Sequence, residues 1–358
     1  MDAAAGMNMT LETEDSNTTL DTPTVLPYAN LMYFWAANVV GPVGLAILLF
    51  GLTTNITNIV VFLKVGVKDN VSTLLLSLSI SDLTFIILTL PSAFGIAYSY
   101  FFVSTRHWPF DYRFVHFLFY WPAYTVYDIS AFISVSLGVM RCACVAMPLK
   151  FKLVFTKRRT VITVFALFVL AVSLRVPVLT IFRVAWRTDP ATNASSAYLA
   201  VFNREAMSRI NDVLSRGLVV WINYAIMVSC VGLLSFKLAQ ASRIRRSYTS
   251  KGHHQTEEKS NLVEDRLTPK DLQVIKSVVL ICSIFILSQL PFMLYSTARL
   301  INPEFTSSSR MQNLFGFFSQ LGSTCSYLNA SLNIFVYYNY NTKYRTVFLS
   351  MLRFGNKK

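Results

Sequence analysis

Four ionisable residues stand inside long apolar runs: Asp82, Asp128, Arg141 and Arg175. A charge at the centre of a bilayer-spanning helix costs about 2.5–3.5 kcal/mol on insertion scales, so such residues are candidates for binding, ion handling or switching. The amides Asn55, Asn58, Gln289, Asn329 and Asn333 and the hydroxyl of Ser130 lie in similar runs. A lone carboxylate in low dielectric pairs with a cation, binds a metal ion or takes up a proton. Asn329, Asn333 and Tyr337 step by four and so share one helix face. Asp128 and Ser130 are two apart, about 200° around a helix, and must serve different neighbours. Ser130 and Arg141 are eleven apart and fall on one line along the same helix. The plainer alternative is that these groups only cross-link helices, at about 0.6 kcal/mol per bond.

The elements that must hold them follow from composition. The chain has 358 residues, 54% hydrophobic and only 14% charged, with a net charge of +14. Soluble domains carry about 25% charged residues, so charge here is too scarce for a fully wetted surface. The basic residues flank apolar runs instead of forming one patch on a soluble face, which argues against nucleic acid as a partner. A spanning helix needs about 20 mostly apolar residues. Seven stretches qualify: Trp35–Leu63, Val71–Tyr98, Phe114–Val145, Thr160–Phe182, Leu214–Leu238, Val274–Leu300 and Asn313–Tyr338. No alternating segments of barrel type occur. The expected fold is an all-α membrane protein, a seven-transmembrane helix bundle in the lipid bilayer, spanning residues 35–340 between a tail at 1–34 and a C-terminal segment at 341–358.

Orientation follows from lysine. The tail is polar and acidic and lacks the basic start and apolar core of a signal peptide, so the first helix is expected to direct insertion. With seven spans, every Lys falls on one side, from Lys64 and Lys68 to the segment beyond Lys343. The positive-inside rule then places the N-terminus extracellular. The sequons at Asn8, Asn17 and Asn193 fall outside, as glycosylation requires. Cys142, Cys144, Cys230, Cys282 and Cys325 lie in spans or at their inner ends, without metal-site spacing and without an outer-loop disulfide partner.

Several segments together resemble a known family: Leu78-Ser-Ile-Ser-Asp82-Leu, Arg141-Cys-Ala-Cys-Val-Ala-Met-Pro148-Leu149, Phe285 with Pro291, and Asn333-Ile-Phe-Val-Tyr337. After them, Tyr344-Arg345 opens a short amphipathic eighth helix with Val347, Phe348 and Leu349. From Gly51 to Leu352 the chain resembles the rhodopsin-like (class A) G-protein-coupled receptors. Asn58-Ile-Val-Val-Phe-Leu-Lys, Trp108-Pro-Phe-Asp and Pro148-Leu-Lys-Phe-Lys are similar to the molluscan chemosensory-type and neuropeptide-like branch. It departs from the family pattern at Met140 and Cys142 beside Arg141, at Ile334, at Gln289, and at His116, where an outer Cys is expected.

The resemblance implies a plasma-membrane receptor for an extracellular ligand, a peptide or a small chemosensory molecule, that activates heterotrimeric G proteins by outward movement of helix six. It is not an enzyme on this reading. It further implies a sodium ion at Asp82, Ser130, Asn329 and Asn333, with no other cofactor. Asn55, Arg141, Asp271, Phe285, Pro291, Asn333 and Tyr337 would form the activation switch, with Arg141 locked to Asp271 at rest. Ala123, Tyr124, Tyr127 and Asp128 would face a ligand opposite Gln289, Tyr295 and Tyr327. Asp128 either contacts ligand directly or pairs with Arg175; the bridge is the preferred alternative. A transporter or channel without G-protein coupling is the rival, although neither internal repeats nor a pore loop is visible.

Overall fold

A computed structural model describes residues 29–67, 69–101, 114, 116–147, 151, 153–188, 195–250, 269–302, 304–306 and 309–355. Helix α1 combines Ala29–Trp35, a π-helical turn at Ala36–Val40, and Gly41–Val65. Pro42 opens its last part, where a missing N–H is harmless. Gly66 ends it at φ 82, donating its N–H to the Phe62 carbonyl at 3.0 Å. That left-handed backbone suits a residue without Cβ. Helix α2 (Asn70–Phe101) follows, then α3 (Trp121–Ala146), which a π turn at His116–Tyr120 precedes.

Helix α4 (Lys157–Leu179) is capped by Thr156, whose side chain accepts from the Arg159 N–H at 3.4 Å. Two antiparallel strands, β1 (Phe182–Thr188) and β2 (Ser195–Val201), pair with Phe182 opposite Val201. Helix α5 assembles from Arg204–Asn211, a π segment at Asp212–Leu218, and Val219–Ser250. Helix α6 (Pro269–Ile301) contains Pro291. Helix α7 runs Gln312–Ser331, breaks at Leu332 and resumes as Asn333–Tyr340; α8 (Thr342–Gly355) ends the described chain.

Six of these helices are long and apolar enough to cross a membrane. The seventh, α7, spends its inner face on Ser323, Thr324, Ser326, Asn329, Ser331 and Asn333, all buried, which lowers its apolarity without exposing polar groups to lipid. Packing runs α1 to α2 to α3, α3 to α4 and α5, α5 to α6 to α7, and α7 back to α1, closing a ring. Of the apolar windows, 56% of α3's is buried but only 17% of α4's, so α3 is the central post and α4 a peripheral helix. Phe165, Phe236 and Leu287 are more than two-thirds exposed, a surface only lipid covers comfortably.

Two span boundaries differ from expectation. The fourth helix stops at Leu179, because Phe182 already belongs to β1. The fifth begins at Arg204, ten residues before Leu214, because its first two turns are polar and carry no hydropathy signal. The two-stranded hairpin itself was not foreseen. Phe117 packs on Phe182 with ring centroids 5.1 Å apart, tying the hairpin base to the start of α3. One mouth of the bundle is therefore the hairpin end; the other is the α8 end.

Helices α1 and α7 approach closely at Gly51. A Cβ there would lie 2.2 Å from Ser331 Oγ, which is held by the carbonyls of Tyr327 at 2.7 Å and Ile47 at 3.2 Å. At the α8 end, Tyr344 is fully buried against Phe62, Tyr337 and Phe348. Its hydroxyl donates to Asn58 Oδ1 at 2.6 Å. Burial pushes the Tyr344 phenol above its ordinary range, so it remains a donor at any physiological pH. Tyr344→Phe keeps the ring packing but leaves the Asn58 amide unsatisfied, at a cost of about 1–3 kcal/mol. The thermal midpoint of purified protein is expected to fall, and adding Asn58→Val to that variant should recover most of the loss. An unchanged midpoint in Tyr344→Phe would show that the bond carries no stability.

Candidate functional site

The polar core is built from α2, α3 and α7 around Asp82, which has no exposed surface. Ser130 donates to Asp82 Oδ1 at 2.5 Å and Asn333 Nδ2 donates to Oδ2 at 2.8 Å. Asn333 reaches it because α7 restarts at that residue after Leu332. Asn329, one turn earlier, is buried beside the break. From α1, Asn55 Nδ2 donates to the carbonyls of Gly51 at 3.0 Å and Ala330 at 2.8 Å, joining α1 to α7 immediately before the break. Both Asp82 oxygens thus accept from neutral donors. No group of three or more His, Cys, Asp or Glu side chains that could hold a metal occurs among the described residues. Hard cations take oxygen ligands; beside Asp82 the structure offers its carboxylate and the Ser130 hydroxyl oxygen, while Asn333 turns its Nδ2 to the carboxylate.

Asp128 turns the other way, as the two-residue spacing requires. It forms an ion pair with Arg175 of α4, whose side chain is only 6% exposed. Arg175 also lies 5.9 Å from the centre of the Trp121 ring. Ala123, Tyr127 and Tyr327 are buried in a cluster around Phe85, which packs on Tyr127 at 4.9 Å and on Tyr327 at 5.9 Å. The Tyr124 hydroxyl and Ser323 Oγ are hydrogen-bonded at 2.6 Å. Gln289 and Tyr295 are buried on α6, and Tyr295 meets Phe292 and Phe315 edge-on. The expected ligand-facing residues thus divide: an inner aromatic cluster around Phe85, the α3–α4 ion pair, and the α6 face.

At the α8 end, Arg141 is half-buried one residue after Met140, which is buried in the core with Phe285 and Tyr337. Tyr337 meets Phe62 edge-on at 5.0 Å. Asp271 stands in the first turn of α6, but its side chain lies outside the described residues, as do Asn8, Asn17 and Asn193. Pro291 sits inside α6, where it removes one backbone hydrogen bond.

Three more charged residues meet near the hairpin end. Asp212, in the π segment of α5, pairs with Arg299 of α6 at 3.0 Å and approaches Arg216 at 3.7 Å. Arg216 and Arg299 lie within the expected fifth and sixth spans. The criterion that singled out Arg175 would therefore have found them.

A closed ring of membrane-length helices around a buried carboxylate, with charged pairs near one mouth, defines a multi-pass helical membrane protein with a polar core. The model of the rhodopsin family of seven-transmembrane receptors matches residues 54–337, well over half of the chain, and the protein belongs to that family. No curated protein matches the chain.

Proposed function

We propose that the protein is a plasma-membrane G-protein-coupled receptor with its hairpin end extracellular and its α8 end in the cytoplasm. The observation that carries this reading is the Asp82 network. It ties α2, α3 and α7 at mid-bundle, on the same α3 that ends in Arg141 and the same α7 that carries Tyr337. The lysine asymmetry supports the orientation, and with it glycosylation at Asn8, Asn17 and Asn193.

A ligand, either a peptide or a small chemosensory molecule as in the branch the chain resembles, enters at the hairpin end. It contacts the Ala123, Tyr124, Tyr127 and Asp128 face of α3 together with Arg175, Gln289, Tyr295 and Tyr327. Binding favours one of two bundle arrangements, and its differential affinity for the two sets the size of the response. Asp82, Ser130, Asn329 and Asn333 would hold a sodium ion, which supplies the positive charge the buried carboxylate lacks and favours the resting arrangement. At rest Arg141 pairs with Asp271, holding the end of α6 against α3. When α6 swings outward about Pro291, Phe285 repacks and Arg141 and Tyr337 turn toward a heterotrimeric G protein, while Asn55 keeps α1 tied to α7.

Nucleotide exchange on purified heterotrimers tests this. Reconstituted Asp271→Ala is expected to raise basal exchange several-fold over wild type, and Arg141→Ala to lower it. Ion current or solute flux without any exchange would favour a transporter or channel. Unchanged basal exchange in Asp271→Ala would remove the lock.

A further inference from the structure

Near the hairpin end, α3, α4, α5 and α6 bring together three guanidinium groups and two carboxylates: Arg175, Arg216 and Arg299 against Asp128 and Asp212. The carboxylates are already taken. Asp128 is occupied by Arg175, and Asp212 accepts from Arg299 at 3.0 Å. Arg216 is left with Asp212 Oδ1 at 3.7 Å, beyond hydrogen-bond reach, although its side chain is only 13% exposed. It lies 5.9 Å over the same Trp121 ring that Arg175 approaches. Two further buried donors in this place, Trp121 Nε1 and Arg175 Nε, have no acceptor. The site therefore holds one positive charge more than it neutralises among the described residues, and donors with nothing to donate to. Aromatic rings border it: Tyr120 meets Trp121 edge-on at 5.3 Å and lies tilted against Tyr124 at 4.6 Å.

We propose that this site recognises a carboxylate on an apolar body, with Arg216 and the Trp121 indole N–H as its anchors. A guanidinium presents paired N–H groups that match the two oxygens of a carboxylate, and the indole N–H adds a third donor. An anion offsets a buried charge that the protein leaves uncompensated, whereas a cationic ligand would add to the repulsion. The neighbouring rings accept the apolar body. Asp212 and Arg299 act as a mount: their ion pair joins α5 to α6 and leaves Arg216 only a loose approach to Asp212 at 3.7 Å, which a carboxylate within hydrogen-bond distance would better. This assignment rests on the receptor reading for the end at which ligand enters, and it names the ligand's chemical class.

The test uses the full chain in neutral detergent with 4-(trifluoromethyl)benzoate as probe, read by fluorine NMR line broadening. Its methyl ester and 4-(trifluoromethyl)benzylamine serve as the neutral and cationic comparisons. The acid is expected to bind, and the ester and amine to bind at least tenfold more weakly. Arg216→Gln should weaken the acid at least tenfold, Arg216→Lys less, and Trp121→Phe by an intermediate amount. Trp121→Phe also serves if Arg216→Gln fails to fold. Equal binding of all three probes, unaltered acid binding in both Arg216→Gln and Trp121→Phe, or no acid binding at millimolar concentration would overturn the proposal. So would displacement of the acid by phosphatidylglycerol but not by phosphatidylcholine, which would assign the site to an anionic lipid headgroup. None of these outcomes depends on G-protein exchange, so a failed receptor reading and a failed carboxylate site are told apart.

Discussion

Replacing Asp128 by leucine is expected to remove most folded protein from the cell surface, and adding Arg175→Met to that variant to bring it back. The Arg175 side chain is 6% exposed, so deleting its partner strands a guanidinium in the bundle with no carboxylate to take it. Breaking a buried pair from one side costs about 3–5 kcal/mol, because the remaining charge is uncompensated. Asp128 keeps a quarter of its side-chain surface, which puts the expected loss near the lower figure. Replacing both members by apolar residues of similar volume removes the desolvation cost together with the attraction and is often neutral. Thermal midpoints of purified single and double variants separate this from a ligand-contact role. If Asp128→Leu folds as well as wild type and only ligand response is lost, the pair is not structural.

This pair and the Asp82 network were legible in the sequence for one reason. Polar groups inside apolar spans are few, each needs a partner, and helical spacing decides which way each one points. Asp128 and Ser130, two residues apart, were assigned to different neighbours; one meets α4 and the other α2. The four-residue steps of Asn329, Asn333 and Tyr337 placed all three on the buried face of α7. What periodicity could not supply was the break at Leu332, which lets Asn333 reach the carboxylate from a restarted helix.

Other features left no mark that hydropathy can detect. The first turns of α5 are polar, and the hairpin strands carry Arg183 and Arg187 between apolar residues, so both read as loop. The bond between Asn58 and Tyr344 joins residues 286 positions apart. Tyr344 looked like any aromatic at the start of an amphipathic helix, and Asn58 like one of several amides. Only the folded chain shows that α8 is fastened to α1 by a buried hydrogen bond as well as by ring packing. Arg216 and Arg299 are a different case, since their signal was present but lay at span ends, where arginine commonly snorkels to the interface.

The second large effect concerns the cation expected at Asp82. Wild-type protein in neutral detergent should gain thermal stability when choline chloride is replaced by sodium chloride at constant ionic strength. The gain should be absent in Asp82→Asn. A ligand bound only by the folded state adds RT ln(1 + [L]/Kd), about 2.7 kcal/mol at a hundredfold excess over Kd. Asp82 has no exposed surface, and among the described residues it accepts from Ser130 and Asn333, neutral donors that meet its charge with dipoles. Dipoles offset burial of a full charge only in part, which is why added cation should stabilise the fold. Asparagine retains one acceptor and nearly the same volume but carries no charge, so the packing around it changes little while the attraction for a cation disappears. Asp82→Asn is therefore expected to equal or exceed wild type in choline, and that crossing is the signature of a bound ion. An equal sodium gain in both proteins would place the ion elsewhere, and no gain in either would leave Asp82 as a hydrogen-bonded structural carboxyl joining α2, α3 and α7.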